Sequence, residues 1–336
     1  MESRASTDAR SQSAQSRWRM LLNAGLQRSE ASIVIVLLVL GLVLSQRSDV
    51  FLTSSNLLNI VRNNADIAIS ALGMTLVIIT AGIDLSVGSI MAFAGLTSAM
   101  AVSVSDQGYG LPTPVAALVG VLAGGLIGLM NAVLIVQLKI QPFIATLGML
   151  GVVRGIVVGT TSGQTVRNFP ASFTQLGQGY LGPLPMPALI MVLLALLIGV
   201  FLAYHVWGTY VYAIGGNETS AILTGLPVDR VKMFVYIMSG LLSGVAGVLV
   251  VARLGVSAPT QAAGYELYVI AATVIGGVSL QGGRGTISGA VLGALLIGTL
   301  NNALVLLRVE SYWQTAFTGG IILISALVDR LRQRRV

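Results

Sequence analysis

The sequence predicts an all-α polytopic membrane protein of about ten transmembrane helices in two inverted five-helix repeats. Three observations predict it. Of 336 residues, 55% are hydrophobic and only 9% charged, whereas ordinary soluble domains are about 25% charged. Apolar runs near the roughly 20 residues that a crossing helix needs recur along the whole chain, and 40 glycines suit a bundle whose backbones approach closely. Finally, "LIGLMNAVLI" from Leu126 and "LIGTLNNALV" from Leu296 both place an asparagine, Asn131 or Asn301, three positions after the glycine of Leu-Ile-Gly.

The expected spans run over 31–46, 57–80, 86–104, 113–137, 142–160, 187–206, 231–253, 265–280, 286–307 and 312–328. The first is read as a retained anchor, because "SIVIVLLVLGLVLS" is followed by "QRSDVF" and not by a small-x-small cleavage site. Residues 1–30, rich in Ser, Gln and Arg, read as a disordered cytoplasmic tail. Residues 31–330 are expected to form the transmembrane domain, with half-repeats near 31–160 and 187–328. Pairing the fourth span with the ninth makes each repeat five spans long, and an odd length inverts the second half in the membrane. Inverted repeats are a recurrent transporter plan. The glycine ladders upstream of the two motifs (Gly120, Gly124, Gly128 and Gly285, Gly289, Gly293) do not superpose, so the likeness is local.

Charge sets the expected orientation. The arginines of both tails, Arg4 to Arg28 and Arg330 to Arg335, join Lys139, Arg230, Lys232 and Arg284 on one side, thirteen of the nineteen basic residues. The positive-inside rule then puts both termini in the cytoplasm. The net charge of +7 is read the same way, and not as a nucleic-acid footprint. With no cysteine there are no disulfides or thiolate metal sites.

Polar residues are sparse enough to single out. In "ITAGIDLSVGS", Asp84 lies between Gly82 and Gly88. A carboxylate facing hydrocarbon costs on the order of 3 kcal/mol, so Asp84 is expected to avoid lipid. One reading is a broken segment whose Asp84, Ser86 and Ser89 line a polar route; the other is a cytoplasmic turn in which Asp84 or Ser86 caps the next helix. Asn63, Asn64 and Thr146 complete the candidate path; Asp66 belongs to the same sparse polar set, and Asn131 and Asn301 are expected to bond between helices. Arg154 is expected to snorkel to the interface.

The connection 208–232 carries the clearest cytoplasmic signal. Asn217 is a good N-cap, Gly215-Gly216 precedes it, and Gly225 with Pro227 ends about two helical turns. Such a helix suits a partner's groove or a headgroup surface. "GGVSLQGGRGT" lacks the Gly-Lys-Ser/Thr ending of a phosphate loop and reads as a hairpin. His205, the only histidine, has no second ligand nearby, and no nucleophile–base pair stands out. Neither a metal, a cofactor nor an enzyme activity is expected.

"GMTLVIITAGIDLSVGSIMA", "QPFIATLGML", "YAIGGNETSAILTG" and "GGVSLQGGRGTISGAVLGALLIGTLNN" resemble the permease subunits of bacterial ABC importers for monosaccharides, to which autoinducer-2 permeases are related. The resemblance covers nearly the whole chain from about residue 30. It implies an inner-membrane subunit that pairs with a second permease and works with a cytoplasmic ABC ATPase and a periplasmic sugar-binding protein. It also implies that Gly215, Gly216, Asn217, Glu218, Ala221 and Gly225 belong to the ATPase-coupling segment, and that Asp84 lies near the path or its inner gate. One departure is visible: in "GYELYVIAATVIGG" the family usually carries an aspartate where this chain has Tyr268. Three functions compete: an ATP-driven importer of a monosaccharide or of a non-sugar solute such as autoinducer-2, a proton-coupled carrier using Asp66 or Asp84, and a membrane scaffold acting through 208–232.

Overall fold

A computed structural model describes residues 29–105, 108–310, 313, 316, 319 and 320. The chain enters on α1 (Ser29–Ser45) and α2 (Ser54–Ile79), whose start is capped by the Thr53 side chain accepting from the Asn56 amide. A non-helical break at 80–86 separates α2 from α3 (Val87–Val102). Helix α4 (Thr113–Ala132) continues through a π turn (Val133–Gln137), and α5 (Pro142–Thr161) follows. Both helices carry a proline in their first two positions, where its missing N–H costs no intrahelical bond. A short α6 (Ala171–Gln178) and a hairpin of β1 (Tyr180–Leu181) and β2 (Leu184–Pro185) lead into α7 (Met186–Tyr204). Then come α8 (Val206–Gly216), α9 (Glu218–Leu223), α10 (Val228–Leu254), α11 (Tyr265–Ile275) and α12 (Ile287–Leu306).

Nine of the ten expected spans are helical among the described residues. The tenth, 312–328, the C-terminal arginines and the tail up to residue 28 lie outside them, and Ser29 and Glu30, expected in the tail, already belong to α1. Five helices (α4 with its π turn, α5, α7, α10 and α12) are long and apolar enough to cross a membrane. Helix α2 has the length, 26 residues, but Arg62, Asn63, Asn64 and Asp66 load its first half with polarity. The span expected over 265–280 is corrected: α11 stops at Ile275 after 11 residues, about 16 Å of rise. That is half of a hydrocarbon core of about 30 Å. The stop is local, because Gly277 takes φ +87°, a left-handed conformation no helix continues through.

Two helices organise the bundle. α10 packs against α4, α3 and α2; α2 packs against α12, α11 and α10. The arrangement is reciprocal: α10 with α4 matches α2 with α12, α10 with α3 matches α2 with α11, and α3 with α4 matches α11 with α12. The short helices α3 and α11 occupy matching places, each preceded by a non-helical break, at 80–86 and 255–264. The glycine ladders explain why their sequences do not superpose. That of α4 meets α10, where a Cβ on Gly124 would lie 2.6 Å from the Gly240 carbonyl, whereas Gly289 and Gly293 of α12 meet α11. Around this core, α5 and α7 expose apolar side chains such as Val152, Ile156, Leu193 and Leu196, the surface a helix presents to lipid.

Candidate functional site

The polar residues singled out in the sequence gather at two levels of the bundle. The first is the break at 80–86, at the end that carries α8 and α9. Leaving the helix after Ile79 brings Asp84 over the start of α3, where the exposed amides of a helix N-terminus favour a carboxylate. Asp84 is wholly buried. One carboxylate oxygen accepts from the Ser86 amide at 3.0 Å and the Ser86 hydroxyl at 2.6 Å, and the other accepts from the Ser239 hydroxyl of α10 at 3.1 Å. The Asn131 amide of α4 donates to the Ser86 hydroxyl oxygen at 2.8 Å. Ser89 donates to the Ser86 carbonyl, and Thr146 of α5 donates to the Pro142 carbonyl at 2.8 Å and reaches that of Ile83 at 3.4 Å. Ser86 sits at the N-cap, yet its side chain caps nothing; the Asp84 oxygen takes its amide instead. Asp84, Ser86, Ser89 and Thr146 thus form one closed knot.

Asn63 and Asn64 are elsewhere, at the opposite end of α2. They line a cleft of about 340 Å³ with Tyr265 and Tyr268 of α11 and Asn301 and Asn302 of α12. Beneath its lining lies an ion pair that the sequence concealed. Arg253, at the end of α10, donates to Asp66 at 2.6 Å and to the Asn63 side-chain oxygen at 3.3 Å. Arg253 and Asp66 lie 187 positions apart in sequence, so no local pattern joins them. Of the two motif asparagines, Asn131 bonds across helices as expected, but Asn301 faces the cleft. Arg154 does not snorkel: its guanidinium donates to the carbonyls of Pro259 at 3.1 Å and Gln261 at 2.7 Å, bracing the break before α11.

The third feature is the connection between α7 and α10. Its sequence predicted one short helix, and α9 is that helix, with Asn217 accepting from the Ser220 amide at 2.9 Å and Gly225 at φ +79°. It also folds α8, started by the His205 ring nitrogen accepting from the Trp207 amide at 3.1 Å. Gly215 of α8 sits so close to the Ile79 carbonyl that any Cβ there would collide with it. The Gly283 amide donates to that same carbonyl at 2.9 Å. The Tyr212 hydroxyl donates to the Gly285 carbonyl at 2.8 Å, and burial holds its phenol above the usual tyrosine range. The segment 276–286, hairpin-like as its sequence implied, therefore clasps α8 and the end of α2 together. Lys232 and Glu218 pair at 2.6 Å between α10 and α9. Outside this clasp α9 leaves Ile222 58% and Leu223 83% exposed, an apolar tip on the polar end of the bundle.

Residues 56–326 match the family model described as branched-chain amino acid transport system / permease component. The ribose import permease protein of Escherichia coli (strain K12) is 42% identical over 311 residues, covering 90% of this chain and 94% of that protein. The ribose import permease protein of Bacillus subtilis (strain 168) is 42% identical over 297 residues, covering 88% and 90%. The L-arabinose ABC transporter permease protein of Azospirillum brasilense is 36% identical over 318 residues, covering 95% and 90%. No solved structure matches the chain. A polytopic helical bundle with a polar cleft at one end and a clasped helix pair at the other, matched over most of its length by permeases, belongs to the branched-chain amino acid transport system / permease component family.

Proposed function

We propose that the chain is the transmembrane permease subunit of an ATP-driven importer, moving a monosaccharide across the bacterial inner membrane. The relatives that match it nearly end to end are named for the import of ribose and L-arabinose, and this supports a sugar as the solute. Both termini lie in the cytoplasm on this reading, so α8, α9 and the segment 276–286 face the cytoplasm and the Asn–Tyr cleft faces the periplasm. A cytoplasmic ABC ATPase supplies the energy, a second permease subunit completes the passage, and a periplasmic binding protein delivers the sugar.

The observation that carries this reading is the seat of Gly215 on the Ile79 carbonyl. A push on α9 reaches α8, and α8 bears on the end of α2, whose other end lines the cleft. The proton-coupled alternative is disfavoured by the knot, where hydrogen bonds from Ser86 and Ser239 already occupy both Asp84 oxygens. The two halves act as inverted repeats about the α2–α10 pair, as their reciprocal packing supports. The test is D-ribose and L-arabinose uptake into proteoliposomes holding the chain with its ATPase and binding protein. Uptake is expected only with ATP and the complete set, and uptake by the chain alone would overturn the proposal.

A further inference from the structure

The cleft is open to water: Asn63 is exposed and Asn301 and Tyr268 are half-buried, so polar groups without a protein partner there stay within reach of a ligand. Asn302 is satisfied: its amide and that of Asn56 exchange hydrogen bonds at 2.9 and 3.1 Å. Asn64 donates to the Ile60 carbonyl at 2.8 Å, and the Asn63 oxygen is taken by Arg253. The Asn63 amide nitrogen, the Asn64 oxygen, the whole Asn301 amide and the Tyr268 hydroxyl are left over, with no side-chain hydrogen bond among the described residues. The knot provides the contrast. Asn131 holds the same place in its motif as Asn301, but it bonds to Ser86 and is wholly buried. The knot is shut away from water, with the Asn131 oxygen left unpartnered inside it, and the cleft is open.

Among the described residues, no charged side chain lines the cleft. Arg253 faces Asp66 beneath it, and Glu266 turns away toward Gly88 of α3. A zwitterion or an anion finds no counter-charge there. The unsatisfied groups are instead donors and acceptors in both senses, beside the rings of Tyr265 and Tyr268, which meet edge-on with centroids 6.1 Å apart. The volume, about 340 Å³, falls in the range of roughly 300–1,000 Å³ that holds small ligands.

We propose that this cleft is a binding subsite for one neutral polyhydroxylated ligand, a single monosaccharide, held by Asn63, Asn301 and Tyr268. Arg253 is a positioning residue: by gripping the Asn63 oxygen it turns the amide nitrogen toward the ligand. The proposal rests on the importer reading for the direction of transport, but binding itself needs no ATP. The subsite is reached from the side opposite α8 and α9.

The chain has no cysteine, so a single introduced thiol reports without background. Val305 lines the cleft without hydrogen-bonding, and Ile60 offers a second position. Val305→Cys and Ile60→Cys are each placed in the full-length chain, with its partner subunits, in right-side-out vesicles, and the rate of labelling by a membrane-impermeant maleimide is measured. At ten times its half-protecting concentration, D-ribose, L-arabinose or D-xylose is expected to slow labelling by about tenfold, and L-leucine is expected to have no effect. Adding Asn301→Ala should abolish protection. Adding Arg253→Lys should raise the half-protecting concentration by about three- to tenfold, the loss of one hydrogen bond. No labelling at either position, no protection by any of the sugars, or equal protection by L-leucine overturns the subsite. If ATP-driven uptake persists in those vesicles, the importer reading stands; if protection is seen without ATP-driven uptake, the importer reading falls and the subsite stands.

Discussion

Asp84 has its oxygens occupied by Ser86 and Ser239, so its role is to fix where α2 ends and α3 begins. Interhelical hydrogen bonds in membranes average about 0.6 kcal/mol each. Asp84→Ala removes one such bond, from Ser239, and two local ones from Ser86, and at a similar size for each is expected to cost about 2 kcal/mol, measured as a lower unfolding midpoint in detergent. Asp84→Asn keeps an acceptor and is expected to keep ATP-driven uptake without acquiring dependence on a pH gradient. Arg253 behaves differently, because Asp66 beneath it is 2% exposed and pairs with no other cation among the described residues. Arg253→Met strands that charge, a loss of about 3–5 kcal/mol, and the pair Asp66→Asn with Arg253→Gln should recover much of it, checked by the same unfolding assay. Asp84 was legible from the sequence because two glycines and a serine surround it. The Arg253–Asp66 pair was not, because only the packing of α2 on α10 brings them together.

At the scale of elements, α8 and α9 differ in how they announce themselves. α9 has a start and a stop written in Asn217, Gly225 and Pro227, all local signals. α8 has weaker ones: its cap is a histidine, His205, and "VWGTYVYAIGG" is rich in β-branched and aromatic residues and ends in two glycines. Its stability comes from burying Val211 and Ile214 and from Gly215 resting on the Ile79 carbonyl. The paired glycines separate the two roles. Gly216 has open space around it, and Gly216→Ala is expected to transport like the parent chain. Gly215→Ala must lift α8 off α2, and sugar uptake is expected to fall about tenfold or more while the ATPase of the assembled complex continues. Both are read by measuring uptake and phosphate release together. The length of α11 was equally hidden, since "ELYVIAATVIGGVSL" is apolar throughout and only the left-handed Gly277 ends the helix early.

Across the whole molecule, the fold class and nine helices, five of them of crossing length, were legible because composition and apolar periodicity leave few alternatives in a bilayer. The division of the path residues was not. Asp84 and Thr146 lie at one end of the bundle and Asn63 and Asn64 at the other, and a sequence gives no depth for a polar residue within a helix. The matched packing about α2 and α10 relates these ends as a closed site and an open one. Transport in the proposed mechanism depends on an external ATPase acting at the α9 tip. The measurement that tests this directly uses Leu223→Cys carrying a short photo-crosslinker in the assembled complex. An adduct with the ATPase subunit, its yield shifting between nucleotide-free and ATP-bound states, is the predicted result. Full ATP-driven uptake with no adduct at position 223, and adducts only from the cleft end, would contradict it.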